Sequence, residues 1–232
     1  MANVLTLDKE SKKIGTEKKV ESFMTRHRGL ILGLGIFVLA AALVACVCFG
    51  VLDSQRKKGV AAVESIEYAY TNGFDALTDE EIVARQNTAL ESLVPYTKKS
   101  GVVGVRANML AADIYTFKKD YVNGIDYWLK AAELSKDNYT AALCRYNAGV
   151  CSEESGDVET ALSYYEAAST DTSFLLKPHV LFNIARLKEG KGDYAGAQEA
   201  YQTLTTDHPS SEWADLAQTR LIQLKLDGKI SN

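Results

Sequence analysis

The sequence predicts an all-α protein in which repeated helical hairpins follow a single apolar helix. Three observations support this fold class. Pro occurs three times in 232 residues, whereas the strong helix formers Ala, Leu, Glu and Lys are abundant. An uncharged apolar run covers residues 30–52, and small and aromatic residues then recur at intervals of 36 or 37 residues. With 47% hydrophobic residues, the chain can also bury a core.

The first 29 residues form a basic tail. They contain seven Lys or Arg and four Asp or Glu, whereas the rest of the chain contains 19 basic and 26 acidic side chains. Binding to phosphate groups requires a basic face, so an acidic folded portion argues against nucleic acid as a partner.

The apolar run from Leu30 to Leu52 carries no charge over 23 positions. As a helix it would be roughly 34 Å long, enough to cross a hydrocarbon core of about 30 Å. The apolar region of a cleaved signal peptide is shorter, at about 7–15 residues. We therefore predict a transmembrane helix at residues 30–52 behind a cytoplasmic tail at residues 1–29.

The orientation follows from the flanking charges. Six Lys or Arg lie between residue 12 and the run, and three follow it at residues 56–58. The positive-inside rule then places the N-terminus in the cytoplasm. The acidic portion is expected outside the cytoplasm, which means the periplasm if the organism is a bacterium with two membranes.

An alternative interpretation concerns Cys46. The stretch LVAC, residues 43–46, resembles the lipobox of bacterial lipoproteins, in which the Cys becomes the acylated first residue. The protein would then be a lipoprotein acylated at Cys46 with a structural role in the envelope. Against this, the apolar run continues to Leu52, where a mature lipoprotein usually turns polar.

Three later segments share a pattern of small and aromatic residues. Their alignment gives a small residue in the second helix, an aromatic four positions later and another small residue twelve positions earlier: Gly124, Ala161 and Ala197, then Trp128, Tyr165 and Tyr201, then Ala112, Gly149 and Ala185. Small residues let antiparallel helices approach closely, and an aromatic fills the wedge between hairpins. We expect these nine residues to make the packing contacts. About three stacked hairpins are needed for a stable array.

The segment YNAG…SGDVETALSYYEAA, residues 146–168, resembles the tetratricopeptide repeat. The resemblance implies a tetratricopeptide-type α-solenoid with units from about Val105 to Asn138, Ala142 to Phe174 and Pro178 to Ser211. Residues 105–211 then form three units, and residues 212–232 form a capping helix and a tail. Ser210 or Ser211 is expected to cap the start of this helix. Residues 53–104, which contain a capping box from Thr78 to Glu81, are interpreted as a juxtamembrane stalk and a degenerate helix pair.

Tetratricopeptide arrays bind partners in a concave groove lined by positions 2, 5, 6 and 9 of each first helix. The resemblance places these positions at Arg106, Met109, Leu110 and Asp113, at Leu143, Tyr146, Asn147 and Val150, and at His179, Phe182, Asn183 and Arg186. Such a mixture of aromatic, Met and amide groups suits an extended peptide or a partner helix. With only two separated Arg, capture of a C-terminal carboxylate is not expected. Alternatively, Tyr146 and Phe182 only pack against neighbouring helices.

No enzyme is expected. The three His have no second ligand at metal-binding spacing, no C-x-x-C occurs, and nucleotide-binding and nucleophile motifs are missing from the sequence. Cys144 and Cys151 are seven residues apart on one predicted helix, about 10 Å in rise, which is too far for a disulfide, so we expect both to be buried in helix packing. We therefore predict no catalytic residue, metal, cofactor or small-molecule substrate.

A single anchor, a short basic tail and an exported repeat array together resemble the YfgM-like ancillary subunits of the SecYEG translocon. The resemblance implies a single-pass scaffold of the bacterial inner membrane that hands emerging chains to periplasmic chaperones. Envelope assembly is a related role. A regulatory subunit of a membrane enzyme is the other alternative, because such arrays recruit enzymes as readily as chaperones.

Overall fold

The computed structural model describes residues 21–135 and 139–231, apart from the side chain of Ile31. It divides the chain into two units, Met1–Gln55 and Arg56–Asn232. Within the described ranges the regular elements are helical and no strand occurs. The predicted all-α class is confirmed.

The described part of the first unit is helical. Residues 21–26 form a short helical segment, and helix α1 begins at Arg28 and ends at Thr71 in the second unit. The helix is long and apolar enough to cross a membrane, and its apolar side chains, including Phe37 and Leu43, are exposed. A retained span and a signal sequence both have this character. Residues 1–20 of the predicted basic tail lie outside the described residues.

The second unit continues with a short 3-10 turn and a series of helices. The turn is Phe74–Ala76, and the helices are α2 (Asp79–Thr97), α3 (Gly101–Phe117), α4 (Tyr121–Ser135), α5 (Tyr139–Glu154), α6 (Val158–Ser169), α7 (Lys177–Gly190), α8 (Tyr194–Asp207) and α9 (Glu212–Leu226). Helices α3 and α4, α5 and α6, and α7 and α8 pack as hairpins. Each second helix also packs against the next first helix, and α9 covers α8 and part of α7. The predicted α-solenoid of helical hairpins is confirmed.

The same turn ends the first helix of every hairpin. In the second hairpin the backbone N–H of Gly156 donates to the carbonyl of Glu153, and that of Asp157 donates to the carbonyl of Ser152, both over 2.9 Å. This is a Schellman motif, in which one residue takes a positive φ. Gly156 and Gly192 supply it at φ 85° and 79°, whereas the first hairpin uses Lys119 at φ 60°.

Side chains after these turns begin the following helices. The carboxylate of Asp157 accepts from the backbone N–H of Thr160, and Asp193 caps α8 in the same way. The predicted capping box of α2, from Thr78 to Glu81, is present, and of the two candidates for α9 the N-cap is Ser211.

Nine positions predicted for helix packing lie in the core of the array, and all nine are buried. Ala161 and Ala197 are completely shielded from solvent, as are Ala112 and Ala185. At Gly149 an added Cβ would lie 2.7 Å from two ring atoms of Tyr165. Only Gly therefore fits this crossing without displacing a neighbour.

The pair formed by α1 and α2 differs from the three hairpins, because its two backbones do not approach closely. Ile66 lies seven residues before the positive-φ Gly73, the spacing at which the hairpins have Ala or Gly. Ile82 lies four residues after the N-cap, again where the hairpins have Ala or Gly. Branched side chains thus occupy the two positions at which the hairpins have small residues, and close helix approach needs small residues. A cavity of about 320 Å³ lies between the two helices, beside Ala69 and Ala84.

Candidate protein-binding groove

The twelve predicted groove positions lie on α3, α5 and α7, the first helices of the hairpins. Leu110 and Asn183 are buried and offer a partner almost no surface, while Asp113 and Arg186 are exposed. The other eight positions are half-buried. The row is therefore accessible along most of its length, but its side chains also serve the packing of the array.

Groove positions on α3 contact the last turns of α1. A guanidinium nitrogen of Arg106 lies 2.6 Å from the carboxylate of Glu64. Asp113 is exposed at the surface, yet its carboxylate is partly enclosed by protein. Burial, with a smaller contribution from the negative charge of Glu67, raises its pKa to about 6. Asp113 thus titrates well above an ordinary Asp.

On α5 the central groove residue is Tyr146. Its hydroxyl lies 3.3 Å from Nδ1 of His179, and its ring packs 5.7 Å from that of Tyr165 between centroids. Burial and the positive charge of Arg186 lower the pKa of His179, which favours its neutral form. Tyr146 therefore joins two neighbouring first helices through a neutral imidazole.

Aromatic contacts continue from α7 to the capping helix. The ring of His179 stacks on Trp213 with centroids 4.0 Å apart and planes at 15°. Phe182 packs against Trp213 at 5.3 Å and against Tyr201 at 5.7 Å. Tyr146, His179, Trp213 and Phe182 thus form one aromatic row. Trp213 was not among the predicted groove residues, although it follows His179 by 34 residues, close to the repeat interval of 36 or 37 residues.

Arg186 is held by a carboxylate rather than left free in the groove. Its guanidinium lies 2.7 Å from Glu153, and the same carboxylate accepts a 3.0 Å hydrogen bond from the hydroxyl of Tyr165. Burial and the charge of Glu153 raise the pKa of Tyr165. The arrangement links the two helices of one hairpin to the first helix of the next.

An equivalent triad recurs one repeat later. Tyr201 donates to Glu189 over 3.0 Å, and Arg220 of the capping helix forms an ion pair with the same carboxylate. Glu153, Glu189 and Arg220 were not predicted from the sequence. The two Glu are separated by 36 residues, as Tyr165 and Tyr201 are, so extending the repeat alignment to charged residues would have found them.

The first hairpin replaces this triad with weaker polar contacts. Thr116, 37 residues before Glu153, lies 3.4 Å from Nε1 of Trp128 and 3.1 Å from Sγ of Cys151. Cys144 and Cys151 are both buried and unbridged, as expected, and burial raises the pKa of Cys144 to about 12. Neither thiol is therefore poised as a nucleophile. In the described ranges no group of three or more His, Cys, Asp or Glu is placed to hold a metal ion.

Comparisons with known proteins concern the repeats. Residues 179–211 match the sequence model of the tetratricopeptide repeat, within the third predicted unit. A TPR repeat-containing protein of Treponema pallidum (strain Nichols) is 25% identical over 226 residues, which cover 90% of this chain and 95% of that protein. Among solved structures, TPR-like repeats of a kinesin light chain candidate from Podosopora anserina superpose with a TM-score of 0.43 at 14% identity, over 66% of this chain and 88% of the other.

Proposed function

We propose that this tetratricopeptide-repeat protein is a non-enzymatic, membrane-anchored scaffold that binds other proteins along the first helices of its hairpins. The observation that carries the proposal is the aromatic row of Tyr146, His179, Phe182 and Trp213. These residues are half-buried, so each keeps part of its surface for a partner. Rigid aromatic groups of this kind supply contact area at a low cost in conformational entropy.

The membrane in the proposal is the inner membrane of a bacterium, with the N-terminus in the cytoplasm and the repeats in the periplasm. The uncharged run at residues 30–52, the Lys and Arg before it and the bacterial relative support this assignment. The architectural resemblance to YfgM-like subunits supports a role in secretion, beside the translocon and its chaperones, or in envelope assembly. The partners proposed are thus proteins of the secretion or envelope machinery.

Photo-crosslinking in native membranes tests the partner. A photoreactive amino acid replaces Leu143 in the groove, and in a control protein it replaces Gln202, which is exposed on α8. We expect Leu143 to capture translocon components or periplasmic chaperones that Gln202 does not. Capture of other proteins would support the scaffold function but contradict the role in secretion. Equal recovery of the same proteins from both positions would contradict the groove as the binding site.

Fatty-acid labelling and alkaline extraction test the anchor. A retained transmembrane helix stays in the membrane pellet at high pH, and the protein incorporates no labelled fatty acid. Incorporation that is lost in Cys46→Ala would instead establish the lipoprotein. Release from the pellet without incorporation would contradict both kinds of anchor.

A further inference from the structure

The loop between α6 and α7 is longer than the connection between α8 and α9, and it is well anchored. Phe174 is buried and packs edge-on against Tyr139, with centroids 5.4 Å apart. The carboxylate of Asp171 accepts hydrogen bonds from the backbone N–H and the hydroxyl of Ser173, at 2.8 and 2.7 Å. The loop therefore holds a defined shape, and the residues that follow Phe174 have fixed positions.

Two leucines follow Phe174 and remain at the surface. Leu175 is 80% exposed and Leu176 is 36% exposed. The two leucines are adjacent, and a contiguous exposed apolar patch marks an interaction site more often than a single exposed apolar residue does. Both leucines line a pocket of about 370 Å³ together with Pro178, His179, Ser211, Glu212 and Trp213. We call this the rim pocket.

The rim pocket also contains a carboxylate, that of Glu212 at the start of α9. Glu153 and Glu189 are neutralised by Arg186 and Arg220. Among the described residues none forms an ion pair or hydrogen bond with the Glu212 carboxylate, whose charge acts on the nearby ring of His179. Because the neutral form of that ring is favoured, the negative charge of Glu212 remains available to a ligand.

We propose that the rim pocket binds a large apolar side chain of a partner polypeptide together with an adjacent Lys or Arg, which pairs with Glu212. Leu176 and Trp213 would contact the apolar side chain, and the pocket volume suffices for one aromatic or branched residue. The pocket shares His179 and Trp213 with the aromatic row, so one extended segment can contact both. The inference rests on the proposed scaffold function and adds a selectivity for apolar-basic sequences.

Peptide binding to the full-length protein in lipid nanodiscs tests the proposal. The probes are fluorescent twelve-residue Gly/Ser peptides with Leu-Phe-Lys, Leu-Phe-Glu or Ala-Ala-Lys at the centre, and anisotropy is measured. We expect Leu-Phe-Lys to bind at least tenfold more tightly than the other two. Glu212→Lys should reverse the preference between the Lys and Glu peptides, and Glu212→Gln should abolish it. Leu176→Ser should weaken the binding of Leu-Phe-Lys at least fivefold.

Glu199→Lys changes an exposed acid on α8 and serves as the matched control, which should leave the preference unchanged. Equal binding of Leu-Phe-Lys and Leu-Phe-Glu by the unmodified protein would overturn the proposal, as would a preference that survives Glu212→Lys. If the protein shows no preference for Leu-Phe-Lys, while crosslinking from Leu143 persists in the Glu212→Lys variant, the rim pocket is refuted and the scaffold function is retained. If crosslinking from Leu143 also fails in the unmodified protein, the scaffold itself is refuted.

Discussion

The hydroxyl of Tyr165 donates a 3.0 Å hydrogen bond to the carboxylate of Glu153, twelve residues earlier in the chain. The same spacing separates Tyr201 from Glu189 one repeat later. In each case the aromatic ring is buried in the core, and its hydroxyl reaches a carboxylate that also binds an Arg of the following helix, α7 for Glu153 and the capping helix α9 for Glu189. The repeat is thus defined by a buried polar contact as well as by small and aromatic residues.

Removing the carboxylate of Glu153 should destabilise the array. Glu153→Ala leaves the buried hydroxyl of Tyr165 without its acceptor and removes the ion pair of Arg186, at a cost of about 1–3 kcal/mol. Glu153→Gln keeps an acceptor oxygen and should cost less. Thermal unfolding of the full-length protein in detergent, followed by circular dichroism, measures the loss as a lower Tm. Glu133→Gln, an exposed site on α4, is the control. Equal Tm values for Glu153→Ala and the control would contradict the prediction.

A methyl group at Gly149 should also destabilise the fold. Its Cβ would approach the ring of Tyr165 to 2.7 Å, and the ring is buried and tethered to Glu153, so it cannot swing away. Overpacking of this kind costs about 1–3 kcal/mol. The matched control is Gly190→Ala in α7, where nothing lies within 4 Å of the added Cβ and helix propensity favours Ala. The two variants should therefore shift Tm in opposite directions, and a Gly149→Ala protein as stable as Gly190→Ala would refute the close crossing.

Hairpin packing could be predicted from the sequence because its determinants are local. Gly149 and Ala161 lie on the two helices of one hairpin, and their spacing depends only on helix geometry and the length of one turn. The turn itself was visible in the Gly156-Asp157 pair, which supplies a positive φ and then an N-cap.

Contacts between successive first helices could not be predicted in the same way. Whether Arg186 meets Glu153 depends on the lateral register of helices that are 33 residues apart in sequence, which no local pattern fixes. Leu216 shows the same limit, because it is apolar and adjacent to the buried Ala217 in α9, yet it is 47% exposed.

Lys119 occupies a backbone conformation that the other two hairpins give to Gly. Its φ of 60° costs a residue with a Cβ about 1 kcal/mol or slightly more. Lys119→Gly should therefore stabilise the protein by up to about 1 kcal/mol, although the greater freedom of Gly in the unfolded chain offsets part of the gain. Lys119→Ala removes the charge but keeps the strained φ, and it should leave Tm nearly unchanged. A Tm that rises equally in both variants would assign the effect to charge rather than to backbone strain.

Asp113 should make the array less stable as the pH rises through the range of its titration. Its pKa is about 6 in the folded protein, compared with about 4 in an unfolded chain. Between these values the folded state binds more protons than the unfolded state, so the free energy of unfolding falls with increasing pH. Since the residue is exposed at the surface, solvent screening keeps the loss below about 1 kcal/mol.

The Asp113→Asn variant cannot titrate at this position and provides the test. Its Tm should equal that of the unmodified protein near pH 4 and exceed it by up to about 2–4 °C at pH 7.5, because the amide carries no charge for burial to disfavour or for Glu67 to repel. Asp215→Asn, at an exposed site on α9, is the control for the general effect of removing a carboxylate. If the pH dependence of Tm in Asp113→Asn matches that of the unmodified protein, the raised pKa of Asp113 is wrong.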